Sequence, residues 1–133
     1  MRIENLLIER VDLMGLKVGV ARGDITPKLP IDLVGYSRRA ENVNKVRRPL
    51  LATVLVLDDD SNRLAIVSMD ILALDHKSSI IFRELIASEI DCEADAVMLN
   101  FSHTHAGPQA VIDSIKIGGT QTVLSKNEIS FIE

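Results

Sequence analysis

The sequence predicts an α/β domain: a mixed β-sheet with an antiparallel hairpin and a βαβ crossover, flanked by helices. Three observations lead there. Two β-rich runs, Leu50 to Leu57 and Arg63 to Met69, are separated only by Asp58-Asp59-Asp60-Ser61-Asn62, so they read as a hairpin. Ser78 to Ile90 carries Ile81, Phe82, Leu85, Ile86 and Ile90 on one side and Arg83, Glu84 and Glu89 opposite, the pattern of a helix with a core face. The apolar run Ala96-Val97-Met98-Leu99 follows that helix too closely for a hairpin return, which implies a right-handed crossover to a parallel strand over 96–101.

At 133 residues the chain fits one domain with a real core, and 47% apolar with 26% charged residues is ordinary for a globular protein. No apolar run approaches the roughly 20 residues that cross a bilayer. Met1 to Asn5 mixes charges where a signal peptide would be apolar, so the chain is expected in the cytoplasm. Its single cysteine, Cys92, lies between Asp91 and Glu93, which discourage a thiolate; it reads as a bystander. A net charge of −4 and a pI near 5.4 argue against a nucleic-acid partner. Aromatics at 3%, with no tryptophan, leave no stacking platform.

From the N-terminus, Ile3, Leu6, Leu7, Val11 and Met14 recur at spacings of three and four, which predicts a helix within 1–15 that ends at Gly15. Such a helix packs on the domain or covers a partner subunit. Leu16 to Ala21 alternates as a short strand, and Arg22 to Pro27 reads as a turn in which Asp24 bonds nearby backbone. Pro30 to Tyr36 continues as irregular chain. Ser37 to Arg48 is basic and unpatterned and reads as an exposed, mobile loop; its Lys45, Arg47 and Arg48 are either solvated charges or an anion-binding patch. The aspartates at 58–60 lack the spacing of a calcium loop and read as a plain turn. Val111 to Ile117 fits strand or helix, and 110–133 is a divergent tail.

The chemistry concentrates in Asn100-Phe101-Ser102-His103-Thr104-His105-Ala106-Gly107-Pro108, where a buried strand spills into a loop. Extended backbone would send the His103 and His105 side chains to one side and Thr104 to the other. Two neutral imidazoles in one space suit zinc, although two loop histidines bonded to backbone carbonyls give the same triplet. The crossover puts the C-terminal ends of both parallel strands on one sheet edge, so Asp70 opens beside the histidines, where α/β folds bind ligands. Asp70 either takes an imidazole N–H and so orients a metal ligand, or caps local backbone. His76, at the start of the helix, reads as a surface residue.

Taken in order, Gly19 to Pro27, Gly35-Tyr36, Pro49 to Asp58, Ala65 to Asp70 and Ser102 to Pro108 resemble the N-terminal part of the catalytic domain of the neutral/alkaline non-lysosomal ceramidase family. The resemblance covers about 16–109, and its last block is the most specific. Family members are zinc-dependent amidases that cleave the N-acyl bond of ceramide. The resemblance therefore implies a zinc cofactor held by His103, with His105 beside the metal assisting the reaction, and an N-acyl lipid or amide substrate. The remaining family ligands (a histidine, a glutamate and a tyrosine) and an essential serine come from far downstream in a domain several times longer. The expectation is thus an incomplete fragment of an amide hydrolase, inactive alone. The alternative is a non-catalytic α/β domain with at most a weak metal site. Missing sheet neighbours would leave an open edge, so homo-oligomers are expected.

Overall fold

A computed structural model describes residues 9–13, 15–35, 43–108 and 110. Five strands, β1 (Glu9–Leu13), β2 (Leu16–Asp24), β3 (Leu51–Asp58), β4 (Arg63–Met69) and β5 (Val97–Phe101), form one sheet in sequence order. The first three pairings are antiparallel and β4 pairs with β5 in parallel. One α-helix, α1 (His76–Ile90), and a 3-10 turn at Ala94–Ala96 make the crossover. The fold is the mixed α/β sheet that the sequence predicts, with its hairpin and crossover in place.

The predicted N-terminal helix needs correction. Residues 9–13 are a strand, paired with β2 from Glu9↔Val20 to Leu13↔Leu16. Spacings of three and four run across 3–14, yet Val11 and Leu13 alternate with Arg10 and Asp12, which is the strand period. Gly15, the predicted helix stop, has φ +89° beside a two-residue hairpin connection, and a left-handed glycine serves either purpose. Ladder bonds to a nine-residue neighbour outweigh a weak local periodicity. Residues 1–8 lie outside the described residues, as do 36–42 and the strand or helix and tail expected over 111–133.

β2 is longer than predicted and runs through Asp24, after which Asp24 Oδ1 accepts the Thr26 N–H at 2.8 Å, the expected turn bond. The β3–β4 hairpin closes as a plain turn: Asp59 accepts the amide N–H groups of Ser61 at 3.0 Å and Asn62 at 2.6 Å. Arg63 bonds Asp58 Oδ2 through Nε at 3.0 Å and Nη2 at 2.7 Å, and donates from Nη1 to the Ile90 carbonyl. The hairpin base is thereby tied to the last turn of α1, where a cation also complements the helix dipole.

The core lies between α1 and one face of the sheet. Ala65, Val67 and Met69 alternate inward from β4 and meet Val97, Phe82, Ile86 and Ala87. The buried stripe of α1 runs through Ser78, Phe82 and Ile86, four residues apart; Leu85, expected in the core, sits at its rim, 37% exposed. On the other face of the sheet Leu64 is 39% and Met98 57% exposed. Among the described residues β5 has no neighbour on its outer side.

Candidate functional site

Four chain segments meet at one sheet edge, because β2, β4 and β5 end there and β3 begins there. Backbone and side-chain bonds lock this edge. Ile25 N–H donates to the Leu50 carbonyl at 2.9 Å, and Leu50 N–H to Thr26 Oγ1 at 2.8 Å. Asp70 N–H donates to the Leu51 carbonyl at 2.9 Å, and Ser102 N–H to the Met69 carbonyl at 3.0 Å. The expected crossover therefore delivers Asp70 and the His103–His105 loop to one place.

His103 and His105 share a space, with ring centroids 5.4 Å apart and planes tilted by 59°. The loop is not simply extended: His103 is left-handed at φ +54°, a conformation that costs an L-residue roughly 1–2 kcal/mol and is concentrated at sites. Thr104 Oγ1 accepts the Ala106 N–H at 3.1 Å and tightens the turn. A second segment holds the loop from outside. Val34 N–H donates to the Gly107 carbonyl at 3.1 Å, and Gly35, at φ +93°, lies directly against the His105 ring. A Cβ on Gly35 would stand 2.3 Å from His105 Nδ1, an impossible contact.

Of the two alternatives for Asp70, an imidazole or local backbone, the backbone bond is the one made. Asp70 Oδ2 accepts the Leu51 N–H at 3.1 Å, which is the backbone-capping alternative. That amide opens β3 and needs an acceptor at the sheet edge, so the nearer demand takes the carboxylate. Asp70 also borders a cleft at this edge, together with Ser102 and Thr104. His76 is exposed at the helix start, as expected. The Cys92 thiol is pushed up, first by burial and then by Glu93 and Asp91, against the pull of Arg63, which suits a bystander.

The donor set suits zinc in kind, since imidazole is a common zinc ligand, and falls short in number. A catalytic zinc takes about three protein ligands. Among the described residues no group of three or more His, Cys, Asp or Glu side chains converges. These described residues alone do not complete a catalytic zinc centre.

One contributor escapes local sequence reasoning, and a second is named by it but not located at this edge. Local pattern marks Gly35 only as a breaker, and its contact with His105 links residues far apart in the chain. Lys45, Arg47 and Arg48 look like a solvated loop; they stay exposed, yet they line the same edge because the loop leads into β3 there.

No family model matches the chain, and no curated protein does. Among solved structures, the neutral ceramidase from Pseudomonas aeruginosa matches with a TM-score of 0.62 at 23% identity over 74% of this chain. A ceramidase complexed with C2 matches with a TM-score of 0.62 at 21% identity over 71%. The fold is neutral-ceramidase-like. The likeness is one of fold, and this chain spans 16% of the length of each of those ceramidase chains. In this chain the sheet and its crossover together present the loop with both histidines. No helix among the described residues is long and apolar enough to cross a membrane.

Proposed function

We propose that this chain carries one corner of a zinc-dependent N-acyl amide hydrolase centre, with His103 as a metal ligand and His105 as its catalytic neighbour. The observation that carries the reading is the pair of imidazoles 5.4 Å apart at the edge of a ceramidase-like sheet where α/β folds bind ligands. A zinc held by His103 and further donors would supply Lewis acidity to the amide carbonyl and to a water. His105, against which Gly35 packs, would then move a proton or stabilise the developing oxyanion. The substrate class is an N-acyl lipid or related amide.

Two donors do not complete such a centre, so turnover needs further groups. Fatty-acid release from an N-acyl amide, assayed with and without zinc, is expected to stay at the buffer rate in both cases. Zinc-dependent turnover would show instead that the site is already complete. A second reading, a non-catalytic α/β domain with a weak metal site, is favoured by the bond that commits an Asp70 oxygen to Leu51. On either reading we infer that the chain self-associates through β5, which among the described residues has no neighbour on its outer side.

A further inference from the structure

The helix α1 covers one face of the sheet, and among the described residues there is no second α-helix to cover the other. Register fixes what that open face carries. Ala52, Val54 and Val56 pack toward the core beside Ala65, Val67 and Met69, so the residues between them point away from it. They fall into rows that cross the strands.

Two rows are apolar. One runs Val18, Leu57, Leu64 and the next Val20, Leu55, Ile66, the latter continued by Met98 on β5. Leu64 and Met98 are exposed and the others half-buried, so this face is not packed as the inner one is. Outside Thr53 and the last residue, Asp58, β3 is apolar on both faces, which is how a strand reads when both faces are covered. A third row is polar: Arg22 Nε donates to Thr53 Oγ1 at 3.3 Å, and Asn100 Nδ2 to Ser68 Oγ at 3.2 Å. It lies toward the edge with the histidine loop and bounds the apolar rows on that side.

The size and charge of the face say what covers it. Five strands about 4.8 Å apart and about seven residues long present on the order of 500 Å². Two such faces together bury about 1,000 Å², which reaches the size of a specific contact between proteins. Packed sheets keep their strands within about 30° of each other. A two-fold axis across the strands at the level of Val56 lays the apolar rows of one copy on those of another. The same axis carries the level of Thr53 onto that of Asp59, because the two lie equally far from Val56. Arg22, the one charged residue in the three rows, reaches over β3 to Thr53 and so stands opposite Asp59 of the second copy. In that turn Asp58 and Asp60 are ion-paired with Arg63 and Lys17, whereas exposed Asp59 is bonded to backbone N–H groups and the Asn62 amide. A cation is thus offered to the acid of the turn that has no cation of its own.

We propose that the outer sheet face docks a second copy of this chain in a two-fold, sheet-on-sheet dimer, with the apolar rows in contact and Arg22 of each copy against Asp59 of the other. The contact is distinct from pairing along β5 and does not depend on the hydrolase reading.

The test is isotope-filtered NMR on a mixture of labelled and unlabelled full chain, with sedimentation equilibrium on variants. Contacts between copies are expected at the methyl groups of Leu55, Leu57, Leu64 and Ile66, a readout that uses the unaltered chain and so stands whatever a variant does to folding. Leu64→Lys, at an exposed position, is expected to weaken self-association at least about tenfold, because it puts a charge into the apolar contact. Arg22→Glu is expected to weaken it at least about fivefold by setting acid against acid, and Asp59→Asn in that background to restore most of the loss. The proposal is overturned if contacts between copies are confined to β5, which leaves edge pairing alone, if Leu64→Lys or Arg22→Glu associates as the wild type does, or if the wild type is monomeric at high micromolar concentration.

Discussion

Gly35 shows how much one residue without a side chain decides at this site. Its left-handed backbone and its contact with His105 act together, whereas Gly15 has a similar φ of +89° and nothing within 4 Å of the place a Cβ would take. Gly15→Ala should therefore cost only backbone strain, about 1 kcal/mol, while Gly35→Ala adds a clash and should cost about 2–3 kcal/mol. Chemical denaturation of both variants checks the ranking, and equal losses would mean that the ring moves aside freely. NMR should also show the His105 imidazole signals displaced in Gly35→Ala and unmoved in Gly15→Ala. None of this is legible in the sequence, because a contact between residues 35 and 105 depends on how two loops meet. The histidine pair is legible as a pair, because the two are adjacent but one at a strand end, whereas the left-handed turn at His103 is not.

Among the elements, α1 is the most readable and β1 the least. The helix begins where Asp75 caps it, accepting the Ser78 N–H at 2.9 Å and the Ser78 hydroxyl at 2.8 Å. The backbone bond from Ser78 holds the Asp75 carboxyl below the usual carboxylate range. An acid whose folded pKa is depressed stabilises the fold fully above its unfolded value, near 4, and loses that contribution as pH falls through the lower folded value. Asp75→Ala should thus cost about 1 kcal/mol at pH 7 and progressively less below about pH 4, read by thermal unfolding at both pH values. A loss that persists undiminished at about pH 2 would contradict the cap. The hairpin and crossover are legible for the same local reasons: short Asp-rich turns and a clean helical stripe leave few alternatives. Glu9–Leu13 is not, since five residues can satisfy both periods and the partner strand decides.

For the whole molecule, the sheet is covered by α1 on one face and, among the described residues, ends at β5 on one side. On the proposed pairing, Met98, 57% exposed on the outer face of that edge strand, would lie beside the seam. Light scattering at micromolar concentration should show dimers or larger species, and Met98→Lys should shift the population toward monomer; a monomeric wild type would contradict pairing through the open edge. The fold class is readable because a mixed sheet follows from the order of hairpin and crossover. The site is readable only as an edge, because the cleft and the His105 support assemble from segments that local patterns do not connect.

The central claim is that the 102–108 loop is a corner of a metal site. A zinc titration of the wild-type chain against His103→Ala tests it most directly. The account predicts weak, saturable binding of one zinc by the wild type and at least about a tenfold loss of affinity in the variant. Affinity unchanged by His103→Ala, or no zinc binding by the wild type, would contradict it.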